Sequence, residues 1–390
     1  MAILVLNAGS ATLKAGAYDG DLTLLARALV DGTGAGARLL LKAPDGEPVL
    51  DRPAEGATRA DHLTDLTEAL AQAVPAFQLE AVGHRVVHGG AQFRAPTRIT
   101  PDVVATLEAL TPLAPLHQPA SLVAIRAMMA SVPDVPQVAC FDTAFHASHA
   151  DHVRSFALPH RYAEAGVVRY GFHGLSYASI AGQLPALSHR LATGRTVVAH
   201  LGSGCSLCAI KGGVSVDSSM GFSALDGIPM GTRPGALDAG VLLYMLQQEG
   251  LTAAQIETLL YRQSGLYGLS GLSADMRVLG TSDDPRAGLA LAVFCFRTAR
   301  EVAALCTALG GLDGLVFTAG IGEHDASVRA RIASHLGWLG VALDDARNRA
   351  AVDGRTALRI STDAAGPEVW VIPTDEEDEI ARETVAALTA

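Results

Sequence analysis

Four times along the chain an apolar run gives way abruptly to glycine and small polar residues. The segments are "LVLNAGS" (4–10), "GHRVVHGG" (83–90), "VAHLGSG" (198–204) and "LVFTAGIGE" (315–323). Each reads as a β-strand whose end enters a loop where backbone can approach a ligand. Any one alone is a tight turn. Their recurrence constrains the chain to an α/β architecture in which strand ends gather chemistry. Helices are expected between them. Leu63, Leu66 and Leu70 share one helical face, and "DPRAGLALAVFCFRTAREVAALCTAL" is a long, largely buried helix.

The chain has 390 residues, enough for two domains, and 49% apolar content supplies a large core. A net charge of −11 argues against a nucleic-acid partner, and 5% aromatic residues leave few platforms for stacking bases. No apolar stretch reaches membrane-spanning length, and the start lacks a signal-peptide pattern, so a cytoplasmic protein is expected. Five cysteines make a poor disulfide framework. Cys205 and Cys208 form a CxxC-like pair with no second pair at zinc spacing, and read as half-buried residues of a glycine-rich hairpin.

In the first segment Asn7, Gly9, Ser10, Thr12 and Lys14 allow two readings: a hairpin turn, or a loop that binds phosphate or metal. "ILVLNAGS" echoes "VVAHLGSGCS", each a strand, a glycine-hydroxyl loop and a hairpin, which suits two related domains. The expected division is residues 1–145, completed by a terminal helix over 376–390, and a second domain over 146–375. Arg85, Arg233 and Arg277 sit among glycines and small residues, where a guanidinium either binds carboxylate or phosphate oxygens or forms a structural salt bridge. His117 and His173 stand beside apolar residues, and Asp142 lies where a strand becomes a turn. In "IPTDEEDEIA" Thr374 is the expected N-cap with Glu377 completing a capping box, while the neighbouring carboxylates suit Mg²⁺.

The stretches "VLNAGSATLK", "GHRVVHGG", "PLHQP", "FDTAFH", "YGFHG", "HLGSGCS", "DSSMGFSALDG", "MGTRPG", "SADMR", "FTAGIGEH" and "VIPTDEE", in this order over residues 4–377, resemble the acetate kinase family of acetate and propionate kinases. The resemblance implies an α/β, two-domain fold of the sugar kinase, Hsp70 and actin type with an interdomain active-site cleft. It implies a homodimer that moves a phosphoryl group reversibly between ATP and a short carboxylic acid, acetate or propionate. ATP/ADP and Mg²⁺, for which Mn²⁺ can substitute, are the implied cofactors.

Carried over by motif, Arg85, Asp142, His173, Arg233 and His117 resemble the catalytic set. Ser10, Thr12, Lys14, His200, Gly202, Ser203, Gly204, Asp275, Arg277, Gly320 and Gly322 resemble the positions that bind nucleotide and its phosphates. Val87, Leu116, Phe172 and Ala224, with Arg85, resemble the acid pocket, and Asn7 and Glu376 the residues near the metal.

Four departures stand out. "NAGSAT" replaces the family's Asn-Ser-Gly-Ser-Ser-Ser, so Ala8 and Ala11 drop hydroxyls. "HLGSG" puts Ser203 where an asparagine contacts phosphate, "SALDG" puts Ala224 where a proline lines the acid pocket, and "TDEE" adds Asp375 beside Glu376. The retained arginines, histidines and aspartate imply an active acetate kinase. The rivals are a propionate-preferring kinase and a non-catalytic nucleotide-binding regulatory module, which has no need of a carboxylate clamp.

Overall fold

A computed structural model of the chain describes residues 2–9, 12–74, 77–115 and 117–389. The described residues divide into two units. The first comprises 1–147, 174–179 and 375–390, and the second 148–173 and 180–374.

The first unit carries β1 (Ala2–Ala8), β2 (Thr12–Tyr18), β3 (Leu24–Asp31), β4 (Arg38–Lys42), β5 (Pro48–Pro53), β6 (Leu79–Val86), β7 (Thr97–Arg98) and β8 (Gln137–Phe141). They form one sheet in the order β5-β4-β3-β2-β1-β6-β8-β7. β1 to β5 is an antiparallel meander, whereas β1, β6 and β8 run parallel. Parallel neighbours end on the same edge, so the segments after β1, β6 and β8 open together. One face of the sheet packs on the helices Arg59–Ala73 and Gln118–Ser131. Thr58 and Asp61 start the first of these with a capping box, and Leu63, Leu66 and Leu70 are buried as their spacing requires. The other face is covered by the C-terminal helix Glu376–Thr389, whose Ile380 and Ala381 meet Ile3, Val5 and Val138.

The second unit repeats the plan. Its strands β9 (Arg195–Leu201), β10 (Cys205–Lys211), β11 (Val214–Ser218), β12 (Gly314–Thr318), β13 (Leu358–Arg359) and β14 (Glu368–Val371) lie in the order β11-β10-β9-β12-β14-β13. β9 makes a hairpin with β10 and runs parallel to β12, as β1 does with β2 and β6. The sequence echo therefore marks a repeated topology. The helix Pro285–Leu309 starts at Asp284 and Pro285, stops at Gly310 in the left-handed region, and buries a stripe that includes Leu291, Phe294, Val302 and Leu305.

Three local expectations are corrected. Residues 174–179 belong with the first unit, although sequence reading places them in the second. Gly174 donates its N–H to the Asp142 carbonyl at 2.8 Å, and a Cβ at 174 would sit 2.3 Å from that oxygen, so this close approach requires glycine. "AGIGE" is not a loop but five of the six residues of the short helix Ala319–His324. The final helix is capped by Asp375, whose Oδ1 accepts the Asp378 N–H at 3.0 Å, one residue beyond the expected Thr374. Thr374 turns its N–H to Glu323 instead. Among the described residues no helix is long and apolar enough to cross a membrane.

Candidate active site

In the first unit the ends of β1, β6 and β8 deliver Asn7, Arg85 and Asp142, and the start of the C-terminal helix adds Glu376 and Glu377. Asp142 is buried and accepts from Arg85 Nε (Oδ1, 3.1 Å) and Nη2 (Oδ2, 2.7 Å). Arg85 Nη1 remains, donating to Asn7 Oδ1 at 3.1 Å and lying 3.5 Å from Glu376. Burial works against the Arg85 charge, but Asp142 and Glu376 outweigh it and raise its pKa. Burial pushes the Asp142 and Glu377 carboxyls above their ordinary range. Asp142 is thus an orienting group: it fixes the guanidinium plane and leaves one edge to act.

The Asn7 amide nitrogen donates to Glu376 Oε2 and Glu377 Oε1, both at 3.3 Å. Its oxygen already takes Arg85, so Asn7 aligns the two carboxylates as much as it offers a ligand. The donor set is all oxygen, with few protein groups. It fits a hard cation that takes its remaining ligands from phosphates and water. Asp375 does not extend this set, because its carboxylate is spent on Arg27 and on the helix cap.

Arg59 joins the residues on either side of the first loop's tip. Arg59 Nη1 donates to Thr12 O at 2.9 Å and Nη2 to Gly9 O at 2.8 Å, a role nothing in the sequence around Arg59 signals. Lys14 is exposed and lines a shallow pocket with Arg27, Lys42 and Glu377. His117 is the N-cap residue of the helix Gln118–Ser131, and the buried Gln118 amide bonds both the N–H and the carbonyl of His88, which ties this helix to the end of β6. Val87 is buried beside it. Ser10 and Leu116 lie outside the described residues.

In the second unit Gly202, Ser203 and Gly204 form the tip of the β9–β10 hairpin, with Ser203 exposed. A Cβ on Gly204 would lie 2.7 Å from Arg233 Nη2 and 3.3 Å from His173 Nε2, so glycine is what lets both side chains close over the loop. His173 adopts the left-handed region at φ 58°. Its ring stacks on His200 at 4.2 Å between centroids, and its Nδ1 meets Ser206 Oγ at 2.7 Å. That bond leaves Nε2 facing Gly204 and Arg233. Phe172 is buried. Arg233 donates Nη1 to the carbonyl of the half-buried Ala224 at 2.9 Å, and among the described residues no carboxylate pairs with it. Burial lowers its pKa, the signature of a cation without a counter-ion.

Gly320 faces open space, since a Cβ there would meet nothing within 4 Å. The turn that carries it is held by two buried residues that sequence reading missed. Glu323 accepts the Ala319 N–H at 2.7 Å. Arg329, with no exposed surface, donates to the carbonyls of Gly322 (2.8 Å) and Glu323 (3.0 Å). Asp275 and Arg277 pair with each other at 2.6 Å, with Arg277 89% exposed. They form a surface pair bonded to each other.

Cys205 and Cys208 are fully buried, not half-buried, and i, i+3 spacing puts them on opposite faces of β10. Burial pushes the Cys205 thiol up to about 12. A Cys205→Ser, Cys208→Ser double variant is expected to keep most of its activity, and elemental analysis of the parent protein to find no stoichiometric zinc. Stoichiometric zinc, or an inactive but folded variant, contradicts this.

The Acetokinase family profile matches residues 2–382. An acetate kinase of Nitrobacter hamburgensis is 47% identical over 99% of this chain and 96% of its own, and one of Rhizobium meliloti 48% identical over 100% and 99%. Among solved structures, Porphyromonas gingivalis acetate kinase is 35% identical with a TM-score of 0.87, covering 99% of both chains. A propionate kinase from Francisella tularensis is 34% identical with a TM-score of 0.90, again over 99% of both. Motif order, repeated topology and full-length similarity agree, and the chain belongs to the acetokinase family.

Proposed function

We propose that the chain phosphorylates acetate with ATP, giving acetyl phosphate and ADP, reversibly and in the cytoplasm. The observation that carries this reading is Arg233, a cation packed over a glycine loop with no carboxylate partner among the described residues. A structural salt bridge would have supplied one, whereas an anionic substrate supplies it only when bound. A carboxylate is already a nucleophile, so an acetate oxygen attacks the γ-phosphorus in line. The new O–P bond forms as the bond to the ADP oxygen breaks, and ADP departs with that electron pair. Arg85, Arg233 and His173 offset charge on the equatorial oxygens, and Asp142 holds Arg85 in plane. Gly202, Gly204 and Gly320 leave backbone open to nucleotide, Gly322 is buried behind that turn with its carbonyl on Arg329, and Thr12, Lys14, His200, Ser203, Asp275 and Arg277 are further nucleotide contacts. Glu376, aligned by Asn7, would hold Mg²⁺ or Mn²⁺, which would supply positive charge to offset that of the phosphates.

The protein acts as a homodimer in this reading. The helix Ala239–Gln247 buries none of its residues, yet presents Leu243, Tyr244 and Leu246 to solvent. Leu289 and Phe296 of the helix Pro285–Leu309 are also exposed, and a second copy is the occupant the family implies.

Ala224 favours a second reading, preference for propionate, because it is smaller than the proline it replaces. Val87, buried and β-branched, favours the smaller acid. One methylene in an apolar pocket is worth about 1–3 kcal/mol, so discrimination is partial. We expect kcat/KM at saturating MgATP to fall in the order acetate, propionate, butyrate. Propionate exceeding acetate would overturn that order and point to Ala224, and Ala224→Pro should then shift the ratio back.

A further inference from the structure

The turn after β12 is strained. Ala319 sits at φ 64°, a left-handed conformation that a non-glycine residue rarely adopts. One carboxylate oxygen compensates. Glu323 Oε1 accepts the Ala319 N–H at 2.7 Å, the Thr374 N–H at 3.2 Å and the Thr318 hydroxyl at 3.3 Å. Glu323 is 8% exposed, so these bonds replace most of the water it would otherwise hold. Its partners come from two places. Thr318 and Ala319 begin the turn that carries Gly320, and Thr374 is the last residue of the second unit, immediately before Asp375 and Glu376.

We propose that Glu323 is a positioning residue for nucleotide binding: it holds the strained Ala319 turn open toward nucleotide and anchors the chain just ahead of Glu376. This rests on reading the Gly320 turn as a nucleotide-binding element. Without the carboxylate, Ala319 relaxes to negative φ and the N–H groups of the turn re-aim. Acetate, held by other groups, is unaffected.

The test measures ADP binding by calorimetry on the full chain and its Gly320→Leu, Glu323→Gln and Glu323→Ala variants, with KM for ATP and for acetate. Glu323→Ala should weaken ADP binding and raise KM for ATP about tenfold, the loss expected of one charge-assisted hydrogen bond, with KM for acetate unchanged. Glu323→Gln should recover most of this, since its amide oxygen can accept the same donors. A folded Glu323→Ala protein that binds ADP normally, or one in which both KM values rise together, overturns the inference. If that variant does not fold, Glu323→Met, which keeps the volume without an oxygen acceptor, takes its place, and wild-type ADP affinity in a folded Glu323→Met protein overturns the inference. Gly320→Leu adds bulk only in open space, so loss of ADP binding there supports the reading of the turn. Undiminished binding in Gly320→Leu overturns that reading and the inference with it.

Discussion

Arg233→Ala is expected to cut turnover about a hundredfold or more, the equivalent of roughly 3 kcal/mol of transition-state stabilisation, with almost no loss of stability. Among the described residues Arg233 makes one side-chain bond, to the Ala224 carbonyl, and pairs with no carboxylate, so removing it breaks no ion pair there and relieves a desolvated cation. Arg85→Ala should match that catalytic loss but also destabilise the fold, because it strands the buried Asp142. Thermal unfolding beside steady-state rates separates the two. An Arg233→Ala enzyme with normal turnover removes Arg233 from the chemistry. An unfolded one makes it a structural residue.

Asp142→Ala should be the most damaging change to the first unit. Breaking a buried ion pair by removing one partner costs about 3–5 kcal/mol. Arg85 would lose the three bonds to Asp142 that fix its plane and keep Asn7 and Glu376 as its neighbours. Turnover should fall with it. Asp142→Asn keeps the shape and one acceptor oxygen, so it should fold better while remaining impaired, since its amide nitrogen would face a guanidinium donor. Equal stability of Asp142→Ala and wild type would mean the pair contributes nothing to the fold.

Much of this was legible in residue order. Alternation and helical spacing mark the meander and the Leu63–Leu66–Leu70 face, and the glycine-hydroxyl echo marks the repeated hairpin topology. The strand ends also mark Asn7, Arg85 and Asp142, which β1, β6 and β8 bring to one edge through parallel pairing. What was not legible depends on distant partners. Arg59 serves carbonyls 47 and 50 residues away, and Glu323 reaches Thr374 across 51. Neither stands in a local pattern that distinguishes it from an ordinary charged residue on a helix. The cap at Asp375 went unread for a related reason: Thr374 is by type an equally good capping residue, and only the structure shows that the N–H a capping box with Glu377 would need goes to Glu323. Residues 174–179 join the first unit through Gly174 and Leu175, contacts that no periodicity announces.

The decisive measurement is product trapping. The purified chain is incubated with MgATP and acetate in hydroxylamine, which converts acetyl phosphate to acetohydroxamate, while ADP is followed in parallel. Acetohydroxamate should form in step with ADP, require both acetate and the divalent cation, and fall about a hundredfold in Arg233→Ala. ADP binding without hydroxamate from acetate, propionate or butyrate would contradict the kinase reading and leave a nucleotide-binding protein without turnover.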